Sequence, residues 1–390
     1  MLSVVESYFS VLMLFGFSHA VLSIYLLLKN KNRPFSNNML ALLLFAWGFS
    51  CYWFFAFIAK APFFSVTVTT FIGPMLALTL FPPVYLFAKY MFYEHEKFQI
   101  KDHLHFLPIY IYLIFSLYLF VDSGFSIAEM RSHEWYKPRS IISGYVATVQ
   151  GPFYFIKTNH ILKLRQQLLK EQYSDIESRK LEWFRKVNFS FALVFIIGGI
   201  STLVRNTYVN PYILYMGYHA VIAISIFYIT LIIYKYPLLF TKNGNGNDTG
   251  FQAPDLKFEE TPPSPKNQIH HENQEFRDKL IVAKMEKIMQ EQKLYKNPNF
   301  SLNDFAAAIS ESRNATSFAL NNSLNKTFYN YINELRIEES KRLLSDVNMQ
   351  HYSIEGIAAQ SGFKTMSVFY KFFKDIEKVT PAVYRERYMK

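Results

Sequence analysis

The sequence is short of the residues on which most catalytic and metal-binding motifs depend. It has one cysteine, Cys51, in 390 residues, so neither an intrachain disulfide nor a cysteine zinc cluster can form. Because Cys51 stands in an apolar run, we interpret it as a packing residue. His103 and His105 are a close pair, but no third ligand joins them at metal-site spacing. No phosphate-binding glycine loop or Ser/His/Asp arrangement can be read either. The sequence therefore predicts no enzyme, catalytic residue, metal site or cofactor.

Charged residues are also scarce, at 18% of the chain, whereas 51% of the residues are hydrophobic and 18% are aromatic. The apolar residues are concentrated in the N-terminal part, and the chain is long enough for more than one domain. The formal net charge is +11, which favours anionic partners such as nucleic acid or lipid head groups.

Seven apolar segments, each near the ~20 residues needed to cross a bilayer, occupy residues 1–240. They are 8–28, 39–59, 66–88, 104–121, 141–157, 188–204 and 211–234. The first is predicted to be a retained helix, because Glu6 replaces the basic start of a signal peptide and no cleavage site follows. The third contains Pro74, Pro82 and Pro83, so we expect a kink there. The prediction is a seven-helix transmembrane bundle.

Loop charges predict how the bundle is oriented. The loops after segments one, three and five carry 14 Lys and Arg residues, against 5 in the opposite loops. Because basic loops stay in the cytoplasm, the N-terminus is expected outside and the C-terminus inside the inner (cytoplasmic) membrane.

Two features of residues 1–240, the histidines in the apolar segments and the long charged loop, each have two interpretations. His19 and His219 lie inside apolar segments, where they either take part in sensing or pack as satisfied core residues. The charged loop at 158–187 either fixes topology and touches lipid, or forms a docking surface for the C-terminal domain. Ser174 and Glu177 have capping-box spacing, which predicts two helices in this loop.

Residues 241–274 change character, with Asn-Gly-Asn-Gly-Asn-Asp at 243–248 and Thr-Pro-Pro-Ser-Pro at 261–265. This composition predicts a disordered linker with an end-to-end distance of roughly 30 Å. Such a linker is either a passive tether or requires docking, oligomerisation or proteolytic release to pass a signal.

The remaining residues, 275–390, contain one helix-turn-helix pattern twice, at about 301–324 and 353–375. The first copy reads Ser301-Leu302-x-x-Phe305-Ala306, then Ser312, then Ser317-x-x-Leu320. The second reads Ser353-Ile354-x-x-Ile357-Ala358, then Gly362-Phe363, then Ser367-x-Phe369. A helix at about 328–345 joins them, and an amphipathic helix precedes them with Phe276, Leu280, Ile281, Met285, Ile288 and Met289 at helical spacing. We call each helix-turn-helix unit a reader. Two readers held about one DNA turn apart, ~34 Å, could enter successive major grooves of a duplex.

These residues resemble the AraC/XylS-type bacterial transcription regulators over about 280–387. The most specific string is Ile357-Ala358-x-x-x-Gly362-Phe363-x-x-x-Ser367-x-Phe369-x-x-x-Phe373-Lys374, followed by Thr380-Pro381-x-x-Tyr384-Arg385. Leu294-Tyr295-x-x-Pro298 and the Glu334–Glu339 string fit as well. The resemblance implies an all-helical DNA-binding domain behind the membrane bundle, and membrane-bound variants of the family are recognised.

The resemblance also implies which residues face DNA. In the first reader they are Arg313, Asn314, Ser317, Phe318 and Asn321, and in the second Lys364, Thr365, Ser367, Tyr370, Lys371 and Lys374. Core and turn positions are Gly362, Phe363, Phe369, Phe373, Pro381 and Tyr384. Two positions depart from the pattern: Thr316, where a larger apolar residue is usual, and Lys378, where glycine is common.

The two readers differ in charge. Residues 313–325 hold four asparagines and one charge, whereas seven Lys and Arg stand against three acids from 362 onward. The second reader is therefore expected to supply most of the phosphate attraction, unless these charges are only a solvated face.

The sequence predicts a membrane-bound, sequence-specific transcription regulator that couples a membrane or extracytoplasmic signal to promoter binding. Its expected partners are double-stranded promoter DNA and the lipid bilayer, with RNA polymerase, a second copy of the chain and an unidentified sensed ligand as further candidates. The alternative is a receptor or transporter whose helix-turn-helix tail serves protein–protein interaction. A membrane enzyme is the third hypothesis, disfavoured because no catalytic pattern is present.

Overall fold

The computed structural model of the protein describes residues 2–59, 71, 73–92, 97–176, 182–203, 212–241 and 269–388. Throughout these ranges the regular elements are helices, and the one β-type pairing found there is an isolated bridge between Tyr173 and Ser301. The predicted all-α class is confirmed. The chain divides into two compact units, Met1–Lys163 with Leu181–Leu256, and Leu164–Lys180 with Lys257–Lys390.

The first unit is built from long apolar helices. They are α1 Leu2–Leu28, α2 Ser36–Ile58, α3 Gly73–Thr79, α4 Pro82–Phe92, α5 Leu107–Asp122, α6 Ile127–Ser132, the first part of α7 Tyr136–Gln172, α8 Glu182–Leu203 and α9 Tyr212–Lys235. Short 3₁₀ turns cover Ile100–Phe106 and Pro237–Phe240. In the third apolar segment the helix breaks at 80–81 and Pro82 starts α4, since proline suits a first helical turn but not a helix interior.

Six helices in the described residues are long and apolar enough to cross a bilayer. They are Val5–Leu28, Ser36–Ile58, Gly73–Phe92, Ile100–Asp122, Glu182–Ser201 and Ile213–Lys235. The predicted fifth segment, 141–157, is helical as part of α7 but does not reach this apolarity. Gln150, Thr148 and Pro152 dilute its hydrophobic residues, so six of the seven predicted segments are membrane-length apolar helices.

Small residues let the helices of this unit approach closely. A Cβ placed on Gly48 of α2 would lie 2.5 Å from the Cβ of Ala20 on α1, a distance that only glycine permits. Ser23 of α1 and Thr230 of α9 share a hydrogen bond of 2.7 Å that joins the same bundle from the other side. Cys51 is fully buried and forms no disulfide, as a packing residue should be.

The second unit comprises residues 164–176 and the C-terminal helices. These are α10 Ile269–Gln292, α11 Leu302–Ala308, α12 Arg313–Ser323, α13 Phe328–Leu344, α14 Ile354–Gln360, α15 Met366–Glu377 and α16 Pro381–Tyr388, with 3₁₀ turns at Leu294–Lys296 and Val347–Met349. Most of the predicted linker, 242–268, lies outside the described residues, and its last part is helical because α10 starts at Ile269.

Helix α10 uses a narrower apolar face than its sequence pattern predicts. Ile281, Met285 and Met289 are buried against the first reader. Phe276 and Leu280, assigned to the same face, are instead 73% and 52% exposed. The difference arises because helix α12, the main partner of α10, packs against its C-terminal half.

Candidate nucleic-acid interface

The first helix-turn-helix unit is fixed by caps at both of its helices. The Ser301 hydroxyl accepts from the backbone N–H of Asp304, and the Asp304 carboxylate accepts from the N–H of Ser301, which is a complete capping box for α11. The Ser312 hydroxyl accepts from the N–H of Ala315 and starts α12. These local bonds set where the recognition helix α12 begins, within one residue of the prediction.

The second unit repeats this construction with one difference. Ser353 caps α14 through the N–H of Gly356, as Ser301 caps α11. The turn that follows contains Gly362 with φ +95°, a conformation that favours glycine. Thr365 stands at the N-cap of the recognition helix α15 but makes no capping hydrogen bond. The first turn of α15 therefore keeps unpaired N–H donors near the predicted DNA-facing residues.

Helix α13 holds the two readers together because its two faces belong to different cores. Phe328 and Ile332 pack with Phe305 of the first reader. Ile337 and Leu344 pack with the second reader, in the cluster that contains Phe369 and Phe373. One rigid helix thus anchors both readers, as the sequence predicts for 328–345.

The predicted DNA-facing residues lie on the open sides of the two recognition helices, and none of the eleven is buried. Arg313, Asn314, Ser317, Phe318 and Asn321 belong to α12. Lys364 and Thr365 precede α15, which carries Ser367, Tyr370, Lys371 and Lys374. The two aromatic members are substantially exposed, Phe318 at 45% and Tyr370 at 41%. The predicted core residues Phe363, Phe369, Phe373, Pro381 and Tyr384 are all buried.

The two departures from the family pattern are accommodated locally. Thr316 is fully buried, and its hydroxyl donates to the Ser312 carbonyl at 2.9 Å, so the polar group is satisfied within α12. Lys378 adopts φ +59° at the end of α15, which is the left-handed conformation that the usual glycine takes more easily.

Arg336 of α13 is the residue that sequence reasoning missed. It is 1% exposed, and burial lowers the pKa of its guanidinium to about 10. Its Nε donates to the Tyr295 carbonyl at 2.7 Å and one Nη2 bond reaches the Asn297 carbonyl at 2.8 Å. The guanidinium carbon lies 5.9 Å from the ring centre of Phe363, in the turn of the second reader. A charged residue among the buried positions of α13 was the available signal.

Residues 164–176 of the predicted loop at 158–187 belong to the same compact unit as the two readers. Leu169 and Ile176 are buried in the same apolar cluster as Phe369, and Ser174 is 1% exposed. The Ser174 hydroxyl donates to the Phe300 carbonyl at 2.7 Å. Glu177, the other half of that predicted capping box, lies outside the described residues. Helix α7 continues from the predicted span 141–157 to Gln172, so residues 158–172 of the loop are helical.

The first unit contains a cavity of about 400 Å³ between helices α2, α3, α7, α8 and α9. His219, 2% exposed, lies in its wall. Its Nδ1 is 2.7 Å from the Tyr215 carbonyl oxygen, which can only accept, so Nδ1 carries the proton. In the neutral ring, Nε2 then accepts from the Ser50 hydroxyl at 3.3 Å. The cavity wall therefore combines apolar surface with an oriented histidine.

His19 and the other polar residues singled out in the membrane half are placed elsewhere. The Nδ1 of His19 is 3.0 Å from the Phe15 carbonyl oxygen, and its ring packs on Phe15, away from the cavity. His103 and His105 bond separately to tyrosine hydroxyls, of Tyr110 at 2.9 Å and Tyr154 at 3.0 Å. The two histidines therefore have different partners and do not act as a pair.

Comparison with known proteins identifies the C-terminal helices. Residues 305–387 match the family model described as "Helix-turn-helix domain", a range that begins inside α11 and includes the rest of the first reader, α13 and the second reader. No curated protein and no solved structure matches the chain. The C-terminal region is thus a helix-turn-helix domain of the AraC type. This match supports a DNA-binding transcription regulator of that type.

Proposed function

We propose that the chain is a membrane-bound transcription regulator that couples a membrane or extracytoplasmic signal to sequence-specific promoter binding. The observation that carries the proposal is the presence, in one chain, of six membrane-length apolar helices and two capped readers fixed on α13. Membrane helices are not needed for DNA binding, and DNA-binding helices are not needed in the membrane. A DNA-binding domain tethered to the membrane is the simplest function that uses both halves of the chain.

The loop charges support an N-terminus outside and a DNA-binding domain in the cytoplasm, in the inner membrane. This topology needs an odd number of crossings, so it requires α7 to cross in addition to the six apolar helices. A helix that contains Gln150 can cross where neighbouring helices shield this side chain from lipid, and Gln150 is 9% exposed. A second copy of the chain and RNA polymerase remain candidate partners of the DNA-bound state.

The cavity supports a sensing role for the first unit. Its volume of about 400 Å³ is within the range of small-molecule sites, whereas packed interiors leave few voids larger than a water molecule. Lys137 is the charged group among the described residues that line it. The combination of apolar walls, His219 and Lys137 suits an amphipathic ligand that is neutral or carries one negative charge.

The decisive experiment is genome-wide crosslinking and immunoprecipitation of the full-length protein in its native membrane. We expect discrete peaks with a shared sequence motif, which are lost in a variant carrying Asn321→Ala and Lys371→Ala. Absence of enrichment, with the protein abundant and folded, would refute the proposal and favour a tail that binds other proteins.

A cavity-filling variant tests the sensing half separately. Gly198 lines the cavity, so Gly198→Leu would occupy it. Gly217 on α9 is not among the lining residues, and a Cβ added there would meet nothing within 4 Å. We expect Gly198→Leu to fix the transcription of the immunoprecipitated targets at one level under all growth conditions. Gly217→Leu, the matched control, should leave the response intact, and equal behaviour of the two variants would argue against the cavity.

A further inference from the structure

Residues 169–176 pack against the C-terminal helices and have buried side chains in their apolar core. Leu169 and Ile176, 4% and 1% exposed, enter the apolar cluster of the second reader. Between them, Tyr173 forms an antiparallel bridge with Ser301, the cap of the first reader. The segment therefore touches both readers, although it precedes them by more than a hundred residues in the sequence.

Arg336 and Asn333 form the polar centre of this binding surface. Arg336 donates from Nη2 to the Ser174 hydroxyl at 3.1 Å and from Nη1 to the Ser174 carbonyl at 3.4 Å. Asn333, fully buried, donates to the same Ser174 carbonyl at 3.1 Å and accepts from Arg336. With the bonds to Tyr295 and Asn297, all five N–H donors of the guanidinium are used.

Two of those five donors depend on Ser174. If the segment left, two guanidinium N–H groups and one amide N–H would lose their protein acceptors, and water would have to enter a site that is now buried. Arg336 also joins the first reader, through Tyr295 and Asn297, to Phe363 of the second. The donors of Arg336 and Asn333 therefore match a chain segment that supplies a carbonyl and a hydroxyl as acceptors.

The acidic residues of the segment lie at the starts of the two recognition helices. The Asp175 carboxylate is 3.9 Å from the ammonium of Lys364, just before α15. Glu171, four residues earlier in the sequence, interacts with the charge of Arg313 at the first position of α12, which opposes the rise in the Glu171 pKa caused by burial. Arg313 and Lys364 are the first predicted DNA-facing residues of each reader. A carboxylate and a DNA phosphate compete for the same cation.

We infer that residues 169–176 are an internal antagonist of DNA binding, docked on the surface centred on Arg336 and Asn333. The docked segment pairs with Lys364 and bridges the two readers, so DNA must displace its carboxylates or the segment must leave. The inference rests on the proposed DNA-binding function and adds its regulation. Because the segment continues directly from α7, a change in α7 reaches the readers without passing through residues 242–268.

A reversible covalent lock tests the antagonism. In a Cys51→Ala background, Tyr173→Cys and Ser301→Cys place two thiols on bridge partners, whose Cβ atoms lie about 4.5–5.5 Å apart in such pairs. The full-length protein is placed in lipid nanodiscs, oxidised or reduced, and titrated with a duplex carrying the immunoprecipitated motif and with a random-sequence duplex. Each single-cysteine variant is the control for oxidation alone.

We expect the double variant to form the disulfide readily and its oxidised form to bind the motif duplex at least about tenfold more weakly than its reduced form. Equal or tighter binding after oxidation would overturn the antagonism. Failure of the two thiols to be joined either by oxidation or by a short bis-thiol crosslinker would overturn docking itself. If the disulfide forms but neither redox state prefers the motif duplex to the random one, docking stands, whereas the proposed function and the antagonism that rests on it fail.

Substitutions on the segment give a second measurement that leaves the readers unchanged. Asp175→Asn removes the charge opposite Lys364, and Ile176→Asp removes the apolar anchor. We expect both to tighten DNA binding by a few-fold, with the larger effect for Ile176→Asp. Glu355→Gln, which removes an exposed acid from α14, is the matched control and should have a smaller effect than Asp175→Asn. If Asp175→Asn and Glu355→Gln tightened DNA binding equally, the change in net charge would explain both effects. That outcome would refute a specific competition between Asp175 and DNA for Lys364.

Discussion

The carbonyl oxygen of Tyr295 would lie 2.5 Å from a Cβ built on Gly362, so the 3₁₀ turn before the first reader and the turn of the second reader meet where no side chain fits. The same carbonyl accepts the Nε–H of Arg336 at 2.7 Å and cannot move away without breaking that bond. Gly362 is therefore required both for its φ of +95° and for this approach.

We expect Gly362→Ala to destabilise the second unit by about 2–4 kcal/mol, since it combines backbone strain with a clash against Tyr295. Hydrogen exchange of the peptides that cover 354–388, in the full-length protein, measures the loss. Gly356→Ala is the matched control, because a Cβ there meets only ordinary contacts at 3.4 Å and beyond, inside a helix. That variant should be stabilised by about 0.5–1 kcal/mol, and equal effects of both would contradict the packing argument.

Local features of this fold were predictable, because they depend on residues a few positions apart. The caps Ser301, Ser312 and Ser353 each accept from a backbone N–H three residues ahead, and such spacing is visible in the sequence. The burial of Phe363 and Phe369 follows from helical periodicity in the same way. The DNA-facing residues lie on open surface, but their contacts with DNA remain predictions.

Long-range features were not predictable from periodicity. Arg336 looks like one more exposed charge on a helix of mixed composition. Its burial is compensated by hydrogen bonds to residues distant in sequence, among them Ser174, 162 residues away. The exposure of Phe276 likewise depends on where α12 ends against α10, which no local pattern states. The fifth predicted segment is helical but less apolar than the other six, because Gln150 and Pro152 interrupt its hydrophobic residues.

Glu339 of α13 is expected to make the second unit sensitive to acid. Its side chain is 4% exposed and accepts from Arg342 at 2.8 Å and from Lys296 at 2.7 Å. The hydrogen bonds from Arg342, and then those from Lys296, lower the pKa of this carboxyl to about 2 in spite of burial. Since the folded pKa lies below the unfolded value of about 4.3, the stabilisation is fully present above about pH 5 and is lost as the pH falls towards 2.

Glu339→Gln should therefore cost about 1–3 kcal/mol at neutral pH and flatten the decline of stability between about pH 5 and pH 3. The measurement is hydrogen exchange of peptides from 294–344 across that range. The neighbouring exposed Glu338, paired with Lys341, provides the control Glu338→Gln, which should change stability by less than about 0.5 kcal/mol. Parallel pH profiles of wild type and Glu339→Gln would contradict the assignment.

Thr316 tests whether a buried hydroxyl is needed in the first recognition helix. The Ser312 carbonyl accepts from both the backbone N–H of Thr316 at 3.0 Å and its hydroxyl at 2.9 Å. Thr316→Val removes the hydroxyl and leaves no partner unsatisfied, so we expect stability to stay unchanged or rise by up to about 1 kcal/mol.

Asn333→Leu is the contrasting variant. The Asn333 amide accepts from Arg336 and donates to the Ser174 carbonyl, so its loss leaves a buried Arg336 N–H without an acceptor and removes one donor from that carbonyl. We expect it to cost about 2–4 kcal/mol. Chemical denaturation followed by exchange of peptides from 313–344 compares the two. If Thr316→Val costs as much as Asn333→Leu, the hydroxyl has a role beyond its bond to Ser312.

The charge difference between the two readers predicts different losses when each is altered. Lys371 and Lys374 are exposed on α15, one helical turn apart, and suit phosphate contacts. Lys371→Gln or Lys374→Gln should weaken binding to all duplexes equally and reduce the slope of log affinity against log salt by about 1. The measurement is fluorescence anisotropy of labelled duplexes at several salt concentrations, with the full-length protein in nanodiscs.

Asn321 of α12 should behave in the opposite way, because an amide suits the edge of adenine and carries no charge. Asn321→Ala is expected to cost about 1–3 kcal/mol on the selected motif, almost nothing on random DNA, and no change in salt slope. Lys326→Gln is the control for lost charge, since the Lys326 ammonium is already paired with Glu334 at 2.5 Å and should contribute little to either quantity. If Asn321→Ala and Lys371→Gln changed the salt slope alike, the first reader would be binding phosphates as well. In that case the assignment of sequence selectivity to the first reader and of phosphate binding to the second would be wrong, although the protein would still bind DNA.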